Sequence, residues 1–149
     1  MSDLVRVAVD AMGGDYAPAE PVKGAVEAVN ADERVKVQLV GQVDVIEKEL
    51  QKYTYPKERV EIVPATEIIE TGEPPVNAIR HKKDSSIVVG MKKVRYGEAD
   101  AFVSSGSTGA VLVGGQTIVG RIKGVEPAAG SADPDERRCI PSDRLRCEC

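Results

Sequence analysis

The sequence predicts an α/β protein built on a parallel sheet with helices on both faces, and three observations predict it. Short β-branched runs alternate with stretches whose apolar residues recur at helical spacing. Two of the strand-like runs, 5–9 and 101–103, pass straight into glycine-rich turns and then into helical patterns, as strands do where a crossover begins. Aromatic residues make up only 3% of the chain and tryptophan is absent, so aliphatic side chains must fill the core, as in buried parallel sheets.

The elements follow in order. Val5-Arg6-Val7-Ala8-Val9 is a strand that runs into Asp10-Ala11-Met12-Gly13-Gly14-Asp15. After Pro18 and Pro21, Val22, Ala25, Val26 and Val29 recur at i, i+3, i+4 and i+7 and predict one apolar helix face. Residues 35–40 alternate as a second strand ending at Gly41, and Val43, Ile46 and Leu50 return to helical spacing. Val60-Glu61-Ile62-Val63 is a third strand closed by Pro64. Residues 65–75, broken by Gly72, Pro74 and Pro75, read as a long loop of the kind that carries function. A helix is expected from Val76 to Lys83, and Asp84 is read as the cap of another carrying Ile87, Val88, Met91 and Val94. Ala101-Phe102-Val103 is a fourth strand leading into Ser104-Ser105-Gly106-Ser107-Thr108-Gly109. The stretch 110–119 is apolar on nearly every side, which predicts a buried helix.

Charge and composition narrow the function classes. The 149 residues carry 20 Lys+Arg against 24 Asp+Glu, a net charge of -4, which gives no global basic field for nucleic acid. Mean hydropathy is -0.22. No apolar stretch reaches the roughly 18–20 residues of a bilayer-spanning helix, and the N-terminus does not resemble a signal peptide, so a cytoplasmic protein is expected. The averages conceal a break. Residues 1–124 hold every lysine, whereas 125–149 hold four arginines (Arg137, Arg138, Arg144, Arg146) and all three cysteines (Cys139, Cys147, Cys149). Those cysteines form neither a CxxC pair nor a set with histidine, so no metal site is expected.

In an open parallel sheet, ligands bind beyond the carboxyl ends of the strands where the strand order reverses. Residues 10–15 and 104–109 both belong on that rim. Glycines in 104–109 allow close backbone approach, hydroxyls donate, and the following helix offers free amides, so the loop suits a phosphate; it equally suits a tight turn capped by Ser107 or Thr108. It is not a Walker loop, and neither loop reads GxGxxG, which disfavours a nicotinamide-dependent oxidoreductase. In the first loop Asp10 could orient a substrate or a basic group and Asp15 could cap the next helix, with Gly13 and Gly14 making the turn. Arg80-His81-Lys82-Lys83 is the densest cationic run in 1–124; it reads first as a solvated helix face and second as a site for phosphate or an acidic partner. His81, the sole histidine, reads as a surface residue.

Four phrases then carry a resemblance. Val7-Ala8-Val9-Asp10-Ala11-Met12-Gly13-Gly14-Asp15-Tyr16-Ala17-Pro18, Pro75-Val76-Asn77-Ala78-Ile79-Arg80 with Lys82-Lys83-Asp84-Ser85-Ser86, Ala99-Asp100-Ala101-Phe102-Val103-Ser104-Ser105-Gly106-Ser107-Thr108-Gly109-Ala110, and Val119-Gly120-Arg121-Ile122-Lys123-Gly124 together resemble the bacterial phosphate acyltransferases of phospholipid synthesis. The resemblance implies a Rossmann-like sheet related to isopropylmalate dehydrogenases and phosphotransacetylases, present here only in part. It implies transfer of a fatty acyl group from acyl carrier protein to inorganic phosphate, without metal or organic cofactor, by a cytoplasmic homodimer that associates peripherally with membrane. Ser104, Ser105, Gly106, Ser107, Thr108 and Gly109, with Asp10, Gly13 and Gly14, are then the expected phosphate or substrate contacts. Arg80, Lys82 and Lys83 are the expected contacts to phosphate or the acidic carrier protein. Ser107 stands where the family often has Asn.

From about Pro127 the likeness stops, and residues 125–149 are expected to be an unrelated tail, an out-of-frame translation after a single-base change. Family-like sequence in another frame of the coding DNA is the outcome that idea requires. A sheet lacking the family's later strands exposes an apolar edge, so marginal folding or aggregation is expected, as is a binding-only chain if half the cleft is missing.

Overall fold

A computed structural model describes residues 4–125. Four parallel strands, β1 (Val5–Asp10), β2 (Val35–Gly41), β3 (Val60–Pro64) and β4 (Ala101–Val103), lie in the order β3-β2-β1-β4. The chain therefore winds outward from β1 to β3 and then crosses back to place β4 on the other side of β1. The strand order reverses between β1 and β4, which makes their carboxyl ends the crevice of the sheet.

Side-chain alternation divides the core between the two faces. On one face α1 (Ala19–Ala31) and α2 (Val43–Leu50) bury Val22, Val26, Val29, Ile46 and Leu50 against Val37 and Leu39 of β2. On the other, Ala8, Val40 and Val63 form a core with Val89 and Val94 of α4 (Ser86–Arg95) and Phe102 of β4. The expected doubly covered sheet is thus present. The ring of Phe102 packs on Gly90, where an added Cβ would lie 2.4 Å from Cε2.

Three helix details differ from expectation. Ser85, not Asp84, caps α4: the Ser85 hydroxyl accepts from the Val88 amide at 3.4 Å. Asp84 instead turns back to accept from the Thr66 amide and hydroxyl, tying down the loop 65–75, and those bonds hold its carboxyl below the usual carboxylate range. Pro18 stands at the N-cap of α1 and no side chain caps it, so Asp15 does not fill that role. The apolar stretch 110–119 is not wholly buried. It forms α5 (Thr108–Gly114) and a following π-helical turn, Gly115–Val119, in which Ala110 and Gly114 are buried but Val111, Leu112 and Val113 are only half-buried, because α3 (Pro75–His81) and α4 cover one side alone.

The three-residue β4 is anchored at its entry. Asp100 accepts from the Arg6 amide at 2.8 Å and from its guanidinium at 3.0 and 3.2 Å, while the Asp100 amide donates to the Arg6 carbonyl. The Arg6 bonds lower the Asp100 pKa. A carboxyl depressed by folding contributes stability that is fully present above its unfolded value, about 3.9, and is lost as pH falls through the lower folded value. Melting temperatures of the wild type and Asp100→Asn are therefore expected to differ at neutral pH and to converge as pH falls from the unfolded value through the lowered folded one. A constant difference across that range would mean the ion pair does not anchor β4.

Candidate functional site: the paired loops at the strand reversal

The structure brings residues 10–15 and 104–109 together, because β1 and β4 are neighbours and Val9 lies opposite Val103. β1 ends on Asp10, whose side chain is 1% exposed. One carboxylate oxygen accepts from the Met12 amide at 3.1 Å and rounds the first loop; the other accepts from the Ser104 hydroxyl at 2.7 Å and crosses to the second. Ser104 Oγ in turn accepts from the Gly106 amide at 3.0 Å, and the Ser105 hydroxyl donates to the Gly13 carbonyl at 2.9 Å. The loops are joined by side chains from both sides.

Glycine makes the contact possible. A Cβ on Gly13 would stand 2.4 Å from Asp10 Oδ2 and 2.9 Å from the Gly106 amide, so any side chain there forces the loops apart. Gly14 has φ +100°, in the left-handed region that favours glycine, and lies over Ser105. Gly109 meets α3, since a Cβ there would fall 2.6 Å from Pro75 Cγ.

This geometry separates the residues expected to bind phosphate. The hydroxyls of Ser104 and Ser105 are engaged between the loops, and Ser107 Oγ accepts from the Ala110 amide at 3.3 Å as the N-cap of α5. Asp10, inside the joint, places a carboxylate where an anion is repelled. The Thr108 hydroxyl is exposed, and the first-turn amides of Thr108 and Gly109 have no acceptor one turn earlier in the helix. The serines of 104–109 therefore build a capped turn, the second of the two readings of this loop.

The cationic run also divides. Lys82 is drawn into the 65–75 loop, donating to the Ile68 carbonyl at 2.7 Å and pairing with Glu73, whose carboxyl it holds below its ordinary value. Arg80 and Lys83 are exposed at the far end of α3, with Arg80 about 8 Å along the axis from Pro75. His81 is exposed, with Nδ1 2.9 Å from the Asn77 carbonyl. Sequence reasoning misses the Thr66–Asp84 clasp and the Pro75–Gly109 contact, which depend on partners far apart in the chain. Among the described residues no group of three or more His, Cys, Asp or Glu side chains could hold a metal ion, and no helix is long and apolar enough to cross a membrane. Cys139, Cys147, Cys149 and the rest of the expected tail from residue 126 onward lie outside the described residues.

Comparison with known proteins bears on the same segment. The chain is 47% identical over 135 residues to a phosphate acyltransferase of Clostridioides difficile (strain 630), covering 90% of this chain and 39% of that protein. It is 50% identical over 126 residues to one from Alkaliphilus oremlandii (strain OhILAs), covering 84% of this chain and 37% of the relative. With a third, from Halothermothrix orenii (strain H 168 / OCM 544 / DSM 9562), identity is 44% over 131 residues, or 87% and 39% of the two chains. The chain thus spans under half the length of these relatives. A family model described as "Fatty acid synthesis protein" matches residues 5–138, which takes in every strand, both paired loops and the cationic run, and runs past residue 124 where the composition changes. With that match covering most of its length, the chain belongs to the fatty acid synthesis protein family.

Proposed function

We propose that this chain handles phosphate in an acyltransferase that moves a fatty acyl group from acyl carrier protein to inorganic phosphate, producing acyl phosphate for phospholipid synthesis. The observation that carries the reading is the joined loop pair at the strand reversal, in a chain that matches phosphate acyltransferases across both loops. Phosphate sits against the Thr108 hydroxyl and the first-turn amides, which bind it and hold one oxygen in line for attack. That oxygen attacks the thioester carbonyl; the tetrahedral oxyanion collapses, the C–S bond breaks, and the carrier thiolate leaves and takes up a proton. Hydrogen-bond donors fixed before the reaction stabilise the oxyanion without reorganising.

Arg80 and Lys83, exposed at the end of α3, suit the acidic carrier protein, since a basic patch speeds encounter with an acidic partner. In the same reading the protein acts in the cytoplasm as a homodimer, peripherally attached to membrane, and the chemistry uses neither metal nor organic cofactor. Phosphate-dependent consumption of palmitoyl-acyl carrier protein by the 149-residue chain tests the activity directly. Phosphate binding without turnover identifies a binding-only chain instead, and NADH binding in a fluorescence titration supports an oxidoreductase. Thr108→Val is expected to raise KM for phosphate by about tenfold with little change in melting temperature, because it removes one charge-assisted hydrogen bond at an exposed position. An unchanged KM would remove Thr108 from the site.

A further inference from the structure

We propose that Lys82 is a positioning residue for the turn 107–109: it straps loop 65–75 and the start of α3 against α5, and does not itself meet phosphate or the carrier protein. The proposal rests on the reading that puts phosphate at this turn and deepens it, by naming what holds the turn from outside the paired loops. Lys82 directly follows α3, yet its side chain reaches the segment before that helix, where Nζ donates to the Ile68 carbonyl at 2.7 Å and to Glu73 Oε1. The same Glu73 oxygen accepts from the Glu70 amide at 2.9 Å, so one ammonium joins both sides of the turn 70–73. Two of the three ammonium donors are engaged there, and the charge faces a carboxylate, which suits a strap better than an anion contact.

A continuous path leads from the strap to the turn. The start of the loop is held by backbone, since the Thr66 and Glu67 amides donate to the Asp84 carbonyl and the Ser86 amide donates to the Glu67 carbonyl. Ile69 is 5% exposed and belongs to the core formed with Ala78, Ile87, Met91 and Ala110. Beyond Ile69 the chain turns on itself, with the Glu73 amide donating to the Glu70 carbonyl, and Lys82 joins that turn to the end of α3. Glu73 then runs into Pro74 and Pro75. Each proline ring fixes its own φ and restricts the residue before it, so a shift at Glu73 is carried into Pro75 instead of being absorbed on the way.

The receiving end is shaped for that contact. Gly109 stands in the first turn of α5 beside Thr108 and has no positive φ, so backbone conformation does not require glycine there. Packing does, because a Cβ would fall 2.6 Å from Pro75 Cγ and 3.4 Å from Pro75 Cβ. At the other end of α5 a Cβ on Gly114 would lie 2.4 Å from Met91 Sδ and 3.4 Å from Ile79 Cδ1. Residues of α3 thus meet α5 at both ends through positions without side chains, and closely packed elements transmit a displacement.

The test combines hydrogen–deuterium exchange with calorimetric titration by inorganic phosphate, on the 149-residue protein as wild type, Lys82→Met and Glu73→Gln. The Ala110 and Val111 amides report on the turn, because they donate to the Ser107 hydroxyl and carbonyl. Both variants are expected to speed exchange at these two amides by about threefold or more, and to weaken phosphate binding by about threefold to tenfold. The sign of the Glu73→Gln effect separates positioning from contact. If Lys82 met phosphate directly, that variant would release its charge and remove a nearby carboxylate, so tighter phosphate binding by Glu73→Gln overturns the proposal. Faster exchange confined to 66–75, or a lower melting temperature with unchanged phosphate affinity, shows a strap with no bearing on the turn and also overturns it. Glu73→Gln carries both measurements if Lys82→Met does not fold. The acyltransferase reading is judged separately: absence of phosphate binding by wild type rejects that reading, while exchange at Ala110 and Val111 still decides whether Lys82 positions the turn.

Discussion

Asp10→Ala is expected to destabilise the protein by about 2–5 kcal/mol and to abolish phosphate-dependent transfer. The side chain is 1% exposed and accepts from two donors, the Met12 amide and the Ser104 hydroxyl. Truncation leaves both without a partner, at about 1–3 kcal/mol for each buried group, and opens a void between the loops. Ser104 then loses the bond that orients its oxygen toward the Gly106 amide, so the second loop is released together with the first. Asp10→Asn keeps the shape and is expected to lose less, because only one oxygen is exchanged for a donor. Thermal melts of the three proteins, with phosphate titrations, measure this order. Wild-type melting and phosphate affinity in Asp10→Ala would show that the loops are held by something else.

Gly13→Ala is expected to cost at least about 1–3 kcal/mol and to weaken phosphate binding in parallel. The added methyl meets the Asp10 carboxylate at 2.4 Å and the Gly106 backbone amide at 2.9 Å. Neither can withdraw, since Asp10 is fixed by its two donors and Gly106 by Ser104. Gly24→Ala is the contrasting substitution: with no atom within 4 Å, it is expected to stabilise by about 0.5–1 kcal/mol through helix propensity. Opposite shifts in melting temperature for two glycine-to-alanine changes are the required result. If Gly13→Ala also raised the melting temperature, the close approach of the loops would be wrong.

The strands are legible in the sequence because each is a short β-branched run with a turn residue behind it, and 35–40 and 60–63 are found as β2 and β3 with ends shifted by one residue. The rim position of both loops is equally legible, since each follows a strand. The partners of their side chains are not. Ser104 and Asp10 are 94 residues apart, and nothing local shows that the hydroxyl is aimed at a carboxylate and not at a ligand. Asp84 illustrates the same limit: aspartate and serine both favour helix N-caps, and only the distant Thr66 decides that Ser85 takes the position. The uniform apolarity of 110–119 correctly signals a helix, but burial depends on what lies outside it, and composition cannot count neighbours.

The position of β1 has a consequence for synthesis in the cell. Of the described strands it is made first and lies inside the sheet, yet its neighbour β4 and the Arg6–Asp100 clasp come 94 residues later. At about 5–20 residues per second, one side of β1 stays unpaired for roughly 5–20 s while the chain is elongating. Of the four strands described, β4 is the last to be made, and until then a strand rich in valine is available to chaperones or to other unfinished chains.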